Sequence, residues 1–301
     1  LKQEKKLGIH GSPTCTMIYG DNGGAEGYLV GPENKGLMCM FSMMNNARLS
    51  VGHQGVAVGE RAYQQAVSFA EQRLQGQSAD AEGRSPIIHH PDVKRMLHTM
   101  RALTEGGRAM SFFTIAAEDR SKHRPLGHED SFDLQIVEVM TPLVKGWCTE
   151  ASMEITSLGV QVHGGMGFVE ETGAAQYMRD ARILPIYEGT NGIQALDLVG
   201  RKLSMHQGRL LQNLQKEIQD FINENKDNED LKDFMKPLEN SFKEVMASTM
   251  WLMQNGLKDP ENALASASDY LNLLALTSMT YMWARMAKFS IGKNEPIHKN
   301  K

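Results

Sequence analysis

From position 36 onward, apolar side chains recur every three to four residues along most of the chain, which is the spacing of amphipathic helices. Residues 37–73 predict one long helix or a kinked pair, closed by the polar, glycine-containing segment 74–86. His90-Pro91-Asp92 predicts a helix start, with Val93, Met96, Leu97, Met100 and Leu103 on one face. Segment 121–130, which holds Pro125 and Gly127, reads as a connector. A third helix is expected from Ser131, with Ile136, Met140, Leu143 and Trp147 in phase, then Ile155, Leu158 and Val162. Pro142 falls inside it and should kink it. Gly164, Gly165 and Gly167 should stop it. Two shorter helices are expected near 171–181 and 190–204, and three more beyond 207, separated by polar segments around 224–230 and 255–261.

The first 36 residues follow a different pattern. Glycines and turn pairs such as Asp21-Asn22 and Gly23-Gly24 punctuate them, and Thr14 to Tyr19 and Tyr28 to Val30 lean towards β structure. These runs predict strands of a small sheet whose partners lie upstream. No internal repeat is found. The pattern is that of a mostly α chain with a β remnant at its start.

Composition narrows the class. A chain of 301 residues suffices for one large helical domain or two smaller ones, and 41% hydrophobic with 23% charged residues is ordinary globular usage. A net charge of -4 without a basic run argues against a nucleic-acid partner, and no apolar stretch is long enough to span a bilayer. Cys15, Cys39 and Cys148 lack paired spacing, so neither a disulfide framework nor a metal site is suggested, and a reducing compartment fits. The 20 methionines read as fillers of irregular core gaps. Leu1 and the lysines from Lys2 to Lys6 do not look like a targeting leader, and the chain is expected to begin in mid-domain.

Candidate chemistry concentrates in residues 161–201. Gln161-Val162-His163-Gly164-Gly165-Met166-Gly167-Phe168 is followed by Met178-Arg179-Asp180-Ala181-Arg182 and then Ile186-Tyr187-Glu188-Gly189-Thr190-Asn191-Gly192. Two glycine-rich turns thus flank a short charged helix. Glycines let backbone approach a flat or phosphorylated ligand, and helix N-terminal amides favour anions; most such loops are simply helix stops. Glu188 precedes a helix start near Thr190 or Asn191, where amides can hold a carboxylate and the Tyr187 ring can desolvate it. It reads as a general base or as a first-turn glutamate offsetting the helix dipole, and spacing alone does not choose.

These motifs, in this order, resemble the acyl-CoA dehydrogenase family. Upstream, Leu7-Gly8 with Ser12 and Thr14 resembles the end of that family's β-domain, Asn45 to Gly55 with Ala47-Arg48 its first C-terminal helix, and Arg73 with Gly76 the motif at that helix's end. The similarity covers about residues 4–201. It implies a β-domain remnant over 1–36, the family's C-terminal helical bundle over 37–204 and an additional helical extension over 205–301, as in a larger bacterial branch.

Residue by residue, the resemblance makes Glu188 the catalytic base. It gives FAD contacts to Gln161, Gly164, Gly165, Thr190, Asn191 and Gly192, and to Arg73, which reaches a flavin bound mainly by a neighbouring subunit. Arg48, Tyr187 and Gly189 are placed by the acyl-CoA substrate. Some branches carry the base one residue before the arginine that Arg48 matches; here that residue is Ala47, so the carboxylate falls to Glu188. Arg73-Leu74-Gln75-Gly76 departs from the common motif, with Gln75 where an aromatic residue is usual.

The implied reaction is α,β-dehydrogenation of an acyl-CoA to a trans-2-enoyl-CoA in fatty acid β-oxidation. Glu188 takes the α-proton and the flavin the β-hydride, and electrons leave to an electron-transfer flavoprotein. The expected setting is a homodimer or homotetramer in bacterial cytoplasm, with this piece inactive alone. An acyl-CoA oxidase and a dehydrogenase specialised for 3-methylmercaptopropionyl-CoA are the nearest alternatives, and a flavin-binding helical scaffold is the non-enzymatic one. A di-iron bundle would need paired Glu-x-x-His motifs, and only Glu295-Pro296-Ile297-His298 has that form. His89-His90 reads as a helix start, His163 as a turn residue near cofactor, and Trp147, Trp251 and Trp283 as core or interface.

Overall fold

A computed structural model describes residues 2–79, 82–123, 132–256 and 258–293. Helix α1 (Gly36–Gln72) is single, not a kinked pair. Helices α2 (Pro91–Lys122) and α3 (Phe132–His163) complete the central trio. His90 caps α2 at its N-terminus with extended backbone, and Pro91 occupies the first turn, where its missing N–H costs nothing. Helix α3 continues through Pro142; every residue from Val139 to Thr149 is buried, so packing on all sides sustains the helix where propensity would interrupt it.

Helices α1 and α3 run side by side in the same direction. Gly52, Gly55 and Gly59 of α1 lie against Val144, Cys148 and Ile155 of α3 in ascending order. A Cβ built at Gly52 would stand 2.7 Å from the Val144 carbonyl oxygen, and one at Gly55 would stand 2.7 Å from that of Cys148. The two backbones approach this closely only because these positions lack side chains.

Two β expectations are corrected. Only Cys15–Thr16 (β2) forms a strand within Thr14–Tyr19, paired antiparallel with Lys2–Gln3 (β1). Tyr28, Leu29 and Val30 form no strand and are 88%, 75% and 86% exposed. A strand needs a partner for its N–H and C=O groups, and no neighbour is present there among the described residues.

Beyond α3, a 3₁₀ turn at Gly164–Phe168 bears out the expected glycine stop. Helix α4 (Ala174–Ala181) follows, then a turn to α5 (Asn191–Asp197), which runs into a π-helical turn at Leu198–Lys202. Four helices come next: α6 (Arg209–Asn225), α7 (Lys232–Asn255), the short α8 (Pro260–Ala265) and α9 (Ala267–Ser290). The expectation of three missed α8, whose N-cap Asp259 accepts hydrogen bonds from the Glu261 and Asn262 amides. Helix α9 seats Leu271 over Gly146 of α3, and Met279 and Trp283 over Gly106 of α2. The buried apolar core therefore runs continuously from α1 to α9. No helix among the described residues is long and apolar enough to cross a membrane. Segment 124–131 and Glu295 to His298 lie outside the described residues.

Candidate active site

Glu188 sits in the turn between α4 and α5, half-buried, with a left-handed backbone at φ 56°. Such a conformation costs a non-glycine residue about 1–2 kcal/mol, so surrounding contacts must hold it. Gly189 follows at φ 84°, and a Cβ there would meet the Gln194 side-chain nitrogen at 2.8 Å. Fully buried Gln194 donates from that nitrogen to the carbonyls of Glu188 (3.4 Å) and Gly189 (3.3 Å). Thr190 caps α5, its Oγ1 accepting from the Ile193 amide at 3.2 Å. The Glu188 N–H finds no acceptor among the described residues.

Around this turn the chain gathers charge. Arg48, buried on α1, approaches Asp197 of α5 at 3.6 Å and brings a guanidinium nitrogen close to Gly189. Among the described residues its Nε has no partner, nor has Oε1 of Gln194. Buried polar atoms are rarely left so, and both belong to side chains that pack against the Glu188-Gly189 backbone. Tyr187 donates its hydroxyl to Gln54 on α1, and burial pushes its phenol pKa up, with the Glu188 charge adding to the effect.

Sequence reasoning missed Lys145 and Gln194. Lys145 is fully buried on α3 and donates to Asn191 Oδ1 at 3.0 Å. The signal was present: a lysine in the otherwise apolar run from Pro142 to Cys148. Burial lowers its pKa to about 8; Arg48 adds to the depression, while Glu188 and Glu150 oppose it. The folded chain thus releases near pH 8 a proton that the unfolded chain keeps until about 10.5. Stability attributable to Lys145 is therefore lowest below pH 8 and rises with pH across that window. Denaturant unfolding should show wild type gaining up to about 3 kcal/mol relative to Lys145→Met between pH 8 and 10.5. A constant difference would show that the ammonium does not titrate there.

The structure separates the candidates into two clusters. Arg48, Tyr187, Glu188, Gly189, Thr190, Asn191 and Gly192 gather at the α5 start. Arg73, Gln161, Gly164 and Gly165 lie at the far end, where Phe69 of α1 stacks on His163 at 4.5 Å. Arg48 and Arg73 are 25 residues apart on and just past one continuous helix, roughly 37 Å at 1.5 Å per residue. That exceeds an extended dinucleotide, so one copy of the chain does not bring both clusters to a single cofactor. Arg73 and Gln161 are exposed, and nothing stands over Gly164 or Gly165 within 4 Å of a built Cβ. Asn191 differs from the rest, because its carboxamide is already engaged at both ends: Oδ1 accepts from Lys145 and Thr149, and Nδ2 donates to Glu150.

Other candidates take structural places. His163 is buried, its Nδ1 bonded to the Gly159 carbonyl at 2.7 Å, rather than sitting in a turn. Trp147 is buried, Trp283 donates to the Ala102 carbonyl, and Trp251 is exposed. Cys15, Cys39 and Cys148 form no disulfide among the described residues. Among the described residues, no group of three metal-ligating side chains occurs.

Comparison with known proteins bears on this geometry. Residues 34–203 match the family model "Acyl-CoA dehydrogenase, C-terminal domain", and residues 214–301 match "Acetyl-CoA dehydrogenase C-terminal like". The 3-methylmercaptopropionyl-CoA dehydrogenase of Ruegeria pomeroyi is 57% identical over 209 residues, 68% of this chain and 35% of that protein. A broad-specificity linear acyl-CoA dehydrogenase of Mycobacterium tuberculosis is 35% identical over 76% of this chain and 39% of its own length. An acyl-CoA dehydrogenase of Bacillus anthracis, solved with FAD, superposes with a TM-score of 0.71 at 25% identity, covering all of this chain and 52% of that one. The chain spans a little over a third of the length of the curated relatives it matches. With more than half of its residues matched by one family model, the chain belongs to the acyl-CoA dehydrogenase family.

Proposed function

We propose that this chain supplies the proton-abstracting base and part of the flavin pocket of an FAD-dependent acyl-CoA dehydrogenase. The Glu188 turn carries the reading: a half-buried carboxylate on a strained backbone, with an unpaired N–H and two orphaned buried polar atoms beside it. Glu188 takes the proton α to the thioester carbonyl. Its own N–H donates to the thioester oxygen, where negative charge develops as the proton leaves. Arg48 and Tyr187 line the substrate's approach to this turn. FAD, which Thr190 and Gly192 would help to hold, would supply the hydride acceptor for the β-hydrogen, the chemistry that gives a trans-2-enoyl-CoA.

The residues fit such a group in two halves. Thr190 and Gly192 at the α5 start would meet one flavin. The open Gly164-Gly165 turn with Arg73 and Gln161 would reach a second, held mainly by a neighbouring copy. Their roughly 37 Å separation supports a homo-oligomer with shared sites. Arg73→Ala should lower flavin occupancy of the assembled oligomer, read from the flavin-to-protein absorbance ratio after gel filtration; an unchanged ratio removes Arg73 from the pocket.

For substrate, the 57% identity to a 3-methylmercaptopropionyl-CoA dehydrogenase favours a short thioether acyl-CoA, with an electron-transfer flavoprotein as electron acceptor. A panel of acyl-CoAs offered anaerobically with an artificial acceptor tests this. Fastest turnover on 3-methylmercaptopropionyl-CoA is expected. A preference for straight chains overturns the substrate class, and turnover that requires oxygen overturns the dehydrogenase in favour of an oxidase.

A further inference from the structure

Asn191 immediately follows the motif that carries Glu188, yet its side chain is turned inward. Oδ1 accepts from Lys145 Nζ at 3.0 Å and from Thr149 Oγ1 at 3.1 Å, and Nδ2 donates to Glu150 Oε2 at 3.0 Å. All three partners lie on α3. The Asn191 N–H also donates to the Pro185 carbonyl at 3.0 Å, closing the turn from its other side. Between Pro185 and Asn191 stand Ile186, Tyr187, Glu188, Gly189 and Thr190, of which Glu188 and Gly189 are left-handed.

We infer that the Lys145–Asn191–Glu150 cluster is a clamp that bolts the first turn of α5 to α3, which makes Asn191 and Lys145 positioning residues for Glu188. This inference rests on the proposed role of Glu188 as base and assigns Asn191 to the protein's own framework instead of to the cofactor. A fully buried ammonium is costly unless it is paired and hydrogen-bonded. Here Asn191 gives it an acceptor, and the charges that face it come from three elements: Arg48 on α1, Glu150 on α3 and Glu188 on the turn. The depressed pKa of Lys145 is the mark of that burial. Without the clamp, the turn would be held by the two long bonds from Gln194, the Thr190 cap, the Tyr187–Gln54 bond and backbone bonds to the Ile183, Pro185 and Thr190 carbonyls, none of which ties the start of α5 to α3. A shift of about 1 Å in a reacting group costs on the order of 10²-fold in rate.

The test uses the FAD-loaded protein and the variants Asn191→Ala, Lys145→Met, their double mutant and the milder Thr149→Val, which keeps side-chain shape and removes only a hydroxyl shared among Asn191 Oδ1 and the Lys145 and Gly146 carbonyls. Four quantities are read: amide hydrogen exchange across 186–192, flavin content, kcat and KM. Exchange there should quicken at least about tenfold in both single variants, kcat should fall about 10–100-fold, and KM should change less than about threefold. Flavin content should stay at the wild-type level. The double mutant should resemble either single, because parts of one unit are not additive. Thr149→Val should show the same pattern more weakly, which keeps the inference testable if a larger change fails to fold.

Loss of flavin by Asn191→Ala with unchanged exchange would return Asn191 to the cofactor and overturn the clamp. Additive effects in the double mutant, or wild-type exchange and kcat in the single variants, would overturn it too. Failure of the base assignment is distinguishable: Glu188→Gln would then keep turning over, whatever exchange reports for the clamp.

Discussion

Glu188→Gln is expected to lower kcat by roughly 10²–10⁴-fold, the usual worth of a positioned general base, while FAD stays bound and the thermal transition is unchanged. Glutamine keeps the volume and the number of polar atoms, so it can occupy the same half-buried place on the turn. The backbone strain at φ 56° is the same for both residues, and the Gln194 bonds reach the backbone carbonyls, not the replaced carboxylate. What disappears is a group able to accept a proton from carbon. Stopped-flow decay of flavin absorbance on mixing with acyl-CoA reads this step directly, and deuterium uptake at the substrate's α-carbon reads the proton transfer alone. Near-normal reduction in the variant would remove Glu188 from the role.

Gly52→Val should destabilise the fold by about 3 kcal/mol, the upper end of ordinary overpacking costs. The cause is geometric. Already at Cβ, the new side chain would stand 2.7 Å from both the Val144 carbonyl oxygen and its Cγ1. The obstruction is largely backbone, which cannot swing aside as a flexible side chain can. Relief requires α1 and α3 to separate, and Arg48 sits one turn earlier on the same helix. Activity should therefore fall along with stability, whereas a variant on the solvent face, such as Arg61→Ala, should change neither by more than experimental scatter. Denaturant unfolding and kcat/KM measured together check this; a loss below about 0.5 kcal/mol would mean the crossing is looser than drawn.

Much of the fold was legible because it is periodic. The apolar phases of Ile136, Met140, Leu143 and Trp147 gave α3, and His90-Pro91 gave the start of α2, since each signal is local and unopposed. Where a signal depended on a partner, it misled. Tyr28 to Val30 have β-leaning side chains, and no described strand runs beside them. Candidate site residues were legible as a linear motif, but motif order says nothing of direction. The sequence could not show that the Asn191 side chain faces α3, or that one unbroken helix holds Arg48 and Arg73 roughly 37 Å apart. Lys145 was overlooked because a charge within an apolar run reads as a helix-surface residue until packing is known on every side.

Gly106 and Gly146 give the seating of α9 a use in comparing sequences. A Cβ at Gly106 would stand 2.6 Å from Met279 and 2.8 Å from the Trp283 indole nitrogen, and one at Gly146 would stand 3.1 Å from Leu271. Bulky side chains at both positions are incompatible with a last helix lying where it does here. Two glycines thus report on the seating of a segment more than a hundred positions later in the chain.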